Sequence, residues 1–243
     1  MLRKLLKYDL RANMKIYCFL WPCIVVAMIL QGFLIPADIP ESLQSVLVPL
    51  VLILLIFSIF GAVITSMVVC INRFYKGLLS EEGYLMFTLP VHPWQLVLSK
   101  LLVSMMTLLV TALLSLGSVV VLMGSILSEL DLDELTYALE AIWGQISPEQ
   151  PVLLIVNLLL SQALSILVIY LACAIGHLAK KRRVLFSVLA YFGVNYGLQF
   201  LTGILAQMGF YGSPWITTLS NAASVALCFY FTQLILKKRL NLE

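Results

Sequence analysis

The sequence predicts an all-α, polytopic membrane protein with six transmembrane helices and both termini on the cytoplasmic side. Three observations carry that prediction. The fifteen Lys and Arg residues form four clusters: Arg3, Lys4, Lys7, Arg11 and Lys15; Arg73, Lys76 and Lys100; Lys180, Lys181, Arg182 and Arg183; and Lys237, Lys238 and Arg239. Between them lie apolar runs, roughly Ile16–Ile35, Val46–Ile71, Leu96–Leu127, Val152–Gly176, Val184–Met208 and Trp215–Leu236. Each is long enough to cross about 30 Å of hydrocarbon at about 1.5 Å per helical residue. The alternate connections, Pro36–Ser42, Ser128–Gln150 and Gly209–Pro214, hold no basic residue and eight of the twelve carboxylates. Basic loops stay on the cytoplasmic side, so those three connections face outward.

Composition agrees with this class. Mean hydropathy is +1.04, with 62% hydrophobic and 11% charged residues, which excludes a soluble globular domain. The net charge of +3 sums over two oppositely charged surfaces and is no sign of nucleic-acid affinity.

In chain order, residues 1–15 read as an amphipathic interfacial helix among membrane lipids. Leu2, Leu6, Leu10 and Met14 recur every four positions, and Lys4, Lys7, Arg11 and Lys15 occupy another stripe. The first apolar run is read as a retained span, not a removable signal peptide, because an acidic turn and a second span follow directly. The five cysteines lie in or at the ends of apolar runs without a C-x-x-C pair, so they read as small core residues.

No Asp, Glu, Lys or Arg lies at the centre of any run. This disfavours proton- or sodium-coupled transport through buried carboxylates. His92 and His177 sit at the cytoplasmic margin without metal-ligand spacing, and Glu81 and Glu82 lack the partners of an intramembrane protease. No catalytic or metal residue is assigned.

Neutral polar residues do recur at helical spacing. Thr107, Thr111, Ser115 and Ser118 on the third span, and Asn157, Ser161 and Ser165 on the fourth, read as interhelical hydrogen-bonding groups. Ser187, Tyr191, Asn195, Gln199 and Thr202 share a face of the fifth span, beside Gly193 and Gly197, which permit close helix approach. That face reads either as pathway lining, with Tyr191, Asn195, Gln199 and Thr202 as the candidate substrate path, or as structural glue.

The most specific segment is the cytoplasmic connection at 73–95. Leu78, Leu79, Tyr84, Leu85, Met86 and Phe87 put apolar surface on the water side, which marks a partner site or the membrane surface. Ser80 can cap a short helix with Glu81 and Glu82 in its first turn. Pro90 and Pro93 stop that helix, and Trp94 anchors re-entry. The outer connection at 128–150 carries Leu132, Leu135, Leu139, Ile142 and Trp143 on one helical face, and reads as a lid or as a helix on the outer leaflet.

The run Glu81-Glu82-Gly83-Tyr84-Leu85-Met86-Phe87-Thr88-Leu89-Pro90-Val91, closed by Ser99-Lys100-Leu101, resembles the permease subunits of type-2 ATP-binding-cassette exporters of Gram-positive bacteria. The resemblance is specific over about thirty residues, and the six spans and basic start fit it along the chain. It implies one transmembrane permease domain over 1–243, working by alternating access in the bacterial cytoplasmic membrane and moving a peptide, lipid or amphipathic drug outward. Ser80, Glu81, Glu82, Gly83, Tyr84, Leu85, Met86 and Phe87 would form the coupling helix that docks on the ATPase. Lys180, Lys181, Arg182 and Arg183 would form the second contact. No G-x-x-x-x-G-K-[ST] loop occurs in the chain, so ATP and Mg are expected on two copies of a separate ATPase subunit. A second permease chain, identical or related, is the other expected partner. The alternative function is the substrate-binding membrane subunit of an energy-coupling vitamin importer. The resemblance also implies short re-entrant helices in the last outer connection, and here Gly209–Pro214 is brief.

Overall fold

The computed structural model describes residues 2–34, 41–79, 93–127, 149–179, 182–207 and 214–239. Their secondary structure is helical: α1 (Leu2–Leu34), α2 (Glu41–Phe74), α3 (Pro93–Leu127), α4 (Gln150–His177), α5 (Arg183–Gln207) and α6 (Pro214–Arg239). A π-helical turn, Tyr75–Leu79, continues α2. Among the described residues, six helices are long and apolar enough to cross a membrane, which is the multi-pass architecture expected. Helices suit this role because lipid offers no partner to an unpaired backbone group. Pro22 and Pro49 sit inside α1 and α2, where lipid-embedded helices tolerate them.

One boundary differs from the sequence expectation. The apolar run of the first span begins near Ile16, yet α1 runs unbroken from Leu2. Its buried positions near the start are Asp9, Asn13 and Tyr17, whereas Met14 on the leucine stripe is exposed. Among membrane helices, polar and small groups turn toward neighbouring helices and apolar groups are left for lipid, the reverse of a water-soluble amphipathic helix.

The chain divides into two compact units. One comprises Leu10–Val68 and Met106–Ile146. Here α1 buries Asn13, Tyr17, Ile24, Ala27 and Gln31, and α2 buries Val51, Leu55, Ala62 and Ser66 at the same helical spacing. Trp21 Nε1 donates to Thr111 Oγ1 across 3.2 Å, and Gly117 sits opposite Met28. Of the third-span polar stripe, Thr111 thus joins helices. Thr107, Thr111 and Ser118 are buried, and Thr111, Ser115 and Ser118 donate to carbonyls of their own helix.

The other unit comprises Met1–Asp9, Val69–Met105 and Ser147–Glu243. In its interior, α4 is buried continuously from Ile166 through Ala174. Helix α5 has no buried residue. At the end of α4 the Leu178 and Ala179 N–H groups donate to the Ile175 and Gly176 carbonyls. Arg182 has φ 57°, in the left-handed region, immediately before Arg183 starts α5. A Cβ on Gly176 would overlap Ser187, so α4 and α5 pack closely there. At Gly193 and Gly197, expected to allow close approach, an added Cβ would meet nothing within 4 Å.

Candidate functional site

Two polar assemblies form in the unit that contains α4–α6. The first is closed and charged. Asp9, near the start of α1, pairs with Lys100 of α3 at 3.5 Å, and both side chains are buried. Ser99 Oγ lies 3.0 Å from the Leu96 carbonyl and 3.4 Å from the second Asp9 carboxylate oxygen. Gly77 leaves the space that the Lys100 ammonium occupies, since a Cβ there would come 2.5 Å from Nζ. Beside this pair, Phe74 stacks on Tyr170 with centroids 4.3 Å apart, and the Tyr170 hydroxyl shares a 3.0 Å hydrogen bond with Ser104. Tyr75 meets His177 edge to face. Charge is tolerated in this interior because each ion has its counter-ion and the Asp9 carboxylate accepts a further hydrogen bond from Ser99.

The cluster holds both flanks of the 80–92 connection: Phe74–Gly77 before it and Leu96–Lys100 after it. Nothing local in the sequence singles out Asp9, one carboxylate among the five cations of the first cluster. Its partner lies 91 positions away. The available signal is the mismatch itself, an acidic residue in a basic flank.

The second assembly is an open cavity of about 320 Å³ between α4, α5 and α6. Helix α4 contributes Ser161 and Ser165, α5 contributes Asn195, Gln199 and Thr202, and α6 contributes Asn221 and Ser224. Leu164, Val168 and Leu198 supply the aliphatic wall, and no charged residue lines it. Most of the hydroxyl protons are committed inside the helices. Ser161, Ser165, Thr202 and Ser224 donate to carbonyls three or four residues back at 2.8–2.9 Å, and Asn195 Nδ2 donates to the Tyr191 carbonyl at 3.0 Å. Next to the cavity, Asn157 Nδ2 reaches Thr217 and Thr218 while Asn221 Nδ2 donates to Asn157 Oδ1 at 2.8 Å.

The expected polar faces of α4 and α5 are therefore split by the fold. Asn157 joins helices as expected. Ser161 and Ser165, read as structural, line the cavity with Asn195, Gln199 and Thr202. Tyr191 of the candidate path is not among the lining residues, and Ser187 packs against Gly176. Ser80, Glu81, Glu82, Gly83, Tyr84, Leu85, Met86, Phe87, Lys180 and Lys181 lie outside the described residues, as does nearly all of the outer connection at 128–150. Arg182 and Arg183 are exposed. Of the five cysteines, all unpaired, Cys70, Cys173 and Cys228 are buried as expected, but Cys18 and Cys23 are exposed. No group of three or more metal-ligating side chains occurs among the described residues. Compared with known proteins, the chain matches no protein family, no curated protein and no solved structure.

Proposed function

We propose that this chain is the permease subunit of an ATP-driven exporter, powered by a separate ATPase. The observation that carries the reading is the Glu81–Val91 segment with its Ser99-Lys100-Leu101 closure. Support comes from the flanks of that segment, which share one buried cluster built on Asp9, Lys100, Phe74 and Tyr170. A connection anchored at both ends on a packed interior transmits displacement into the helices instead of absorbing it.

In this reading Ser80–Phe87 docks on the ATPase, Lys180, Lys181, Arg182 and Arg183 form the second contact, and residues 1–15 lie at the inner leaflet. The chain works with a second permease copy or a related one in a bacterial cytoplasmic membrane. The uncharged α4–α6 cavity is part of the cargo path, because amides left facing hydrocarbon would be costly, by roughly 2–7 kcal/mol without a partner.

The test is copurification with a phosphate-loop ATPase from membranes expressing both chains, followed by ATP-driven transport in vesicles. Replacing Leu85 and Met86 by Asp should release the ATPase while insertion stays intact. Retained ATPase at normal stoichiometry with full transport would reject the role of this segment.

A second reading, a substrate-binding subunit of a vitamin importer, is favoured by one observation: the cavity forms within a single chain. It requires saturable binding of a small ligand and no outward transport when the ATPase is supplied.

A further inference from the structure

The cargo classes open to such a permease differ chemically, and the cavity discriminates between them. A phospholipid presents an anionic phosphate, a peptide presents neutral amides, and many amphipathic drugs present a cation. An anion inside a membrane needs positive charge or converging N–H donors. A cation needs a carboxylate or an aromatic face. The lining residues include no basic, acidic or aromatic side chain.

What the cavity does present is oxygen. Each of its seven polar side chains carries an acceptor oxygen, and only Asn195, Gln199 and Asn221 add amide N–H groups. The hydroxyl protons of Ser161, Ser165, Thr202 and Ser224 point along their own helices, so their lone pairs are what remains for a ligand. One N–H of Asn195 and one of Asn221 are also engaged, at the Tyr191 carbonyl and at Asn157. The surface is acceptor-rich, uncharged and backed on one side by Leu164, Val168 and Leu198. Its volume of about 320 Å³ is at the small end of ligand cavities, about 300–1,000 Å³.

We propose that the α4–α6 cavity binds an uncharged, N–H-donating group, the main-chain amides of a short peptide segment, and rejects phosphate headgroups. The inference rests on the transport reading and names the cargo class for it. Secondary amides donate to the oxygens, and small apolar side chains meet the aliphatic wall. Gln199, on the exposed side of α5, supplies the amide that pairs with a peptide carbonyl in return. A sugar, the other neutral donor-rich class, finds no ring to stack on.

The experiment uses the full chain, purified into phosphatidylcholine nanodiscs without any ATPase. Titration calorimetry with N-acetyl-trialanine amide should give a saturable isotherm, and sn-glycerol 3-phosphate, the headgroup mimic, should give none. Gln199→Leu, an exposed position that leaves the fold intact, should weaken the tripeptide at least about tenfold, and Ser165→Ala should weaken it less. Binding of glycerol phosphate at this site, an isotherm from neither probe, or unchanged tripeptide affinity in folded Gln199→Leu each overturns the proposal. Failure of the exporter reading has a different signature, since it removes ATPase copurification and leaves tripeptide binding untouched.

Discussion

The Asp9–Lys100–Tyr170 cluster and the α4–α6 cavity belong to the same unit and share helix α4, yet they solve the problem of polarity in a membrane in opposite ways. The cluster is charged and closed, with Asp9, Ser99, Lys100 and Tyr170 all buried. The cavity is neutral and open, and Ser161, Ser165 and Gln199 are exposed. The difference teaches where charge is tolerated. A full charge survives only where its counter-ion and hydrogen bonds enclose it, whereas an amide or hydroxyl survives beside an open face by donating to its own helix. The closed region suits force transmission, and the open one suits reversible contact with a passing ligand.

If that contrast is real, the largest effects fall in the cluster. Asp9→Leu or Lys100→Leu alone should destabilise the chain by about 3–5 kcal/mol, because each leaves a buried charge unpaired, and the double replacement should recover most of the loss. Unfolding in mixed micelles, arranged as a double-mutant cycle, measures this. Single losses below about 1 kcal/mol would mean that the pair is hydrated in the membrane and that the cluster is not closed.

Tyr170→Ala removes a fully buried ring stacked on Phe74 and should cost about 3–5 kcal/mol, against no more than about 0.5 for Tyr196→Ala on the uncovered side of α5. Similar losses at the two positions would show that α5 is covered in the assembled protein. Dimer yield in crosslinking would then fall for Tyr196→Ala as well.

Gly176→Ala should cost about 1–3 kcal/mol, because the new methyl overlaps Ser187 of α5. Gly197→Ala meets nothing within 4 Å and should leave thermal stability unchanged. A reversed order would place the helix contact at Gly197.

Asn157→Leu removes hydrogen bonds to Thr217, Thr218 and Asn221. At about 0.6 kcal/mol per bond, it should lower stability by no more than about 2 kcal/mol without altering tripeptide affinity. A large drop in affinity would make Asn157 part of the binding surface.

Much of this architecture is readable in the amino-acid sequence, because hydrocarbon thickness and backbone hydrogen bonding leave a long apolar run with a single option, a spanning helix. Six spans are legible on those grounds, and so is the recurrence of polar residues along single helices, since helical periodicity is a local property. At the start of α1 the leucine stripe next to lysines is legible for the same reason, but nothing local reveals that Asp9 and Asn13 are buried.

The remaining features depend on residues far apart in the chain. Lys100 meets Asp9 across 91 positions, and Ser161 meets Gln199 and Asn221 across three helices. Hydropathy also does not rank burial, since α2 is more apolar than α3 yet buries a smaller share of its span. In water, burial follows apolar character because exposure is penalised. In lipid that penalty vanishes, so which helix forms the interior is settled by shape and by polar pairing across helices, and both exist only once the chain has folded.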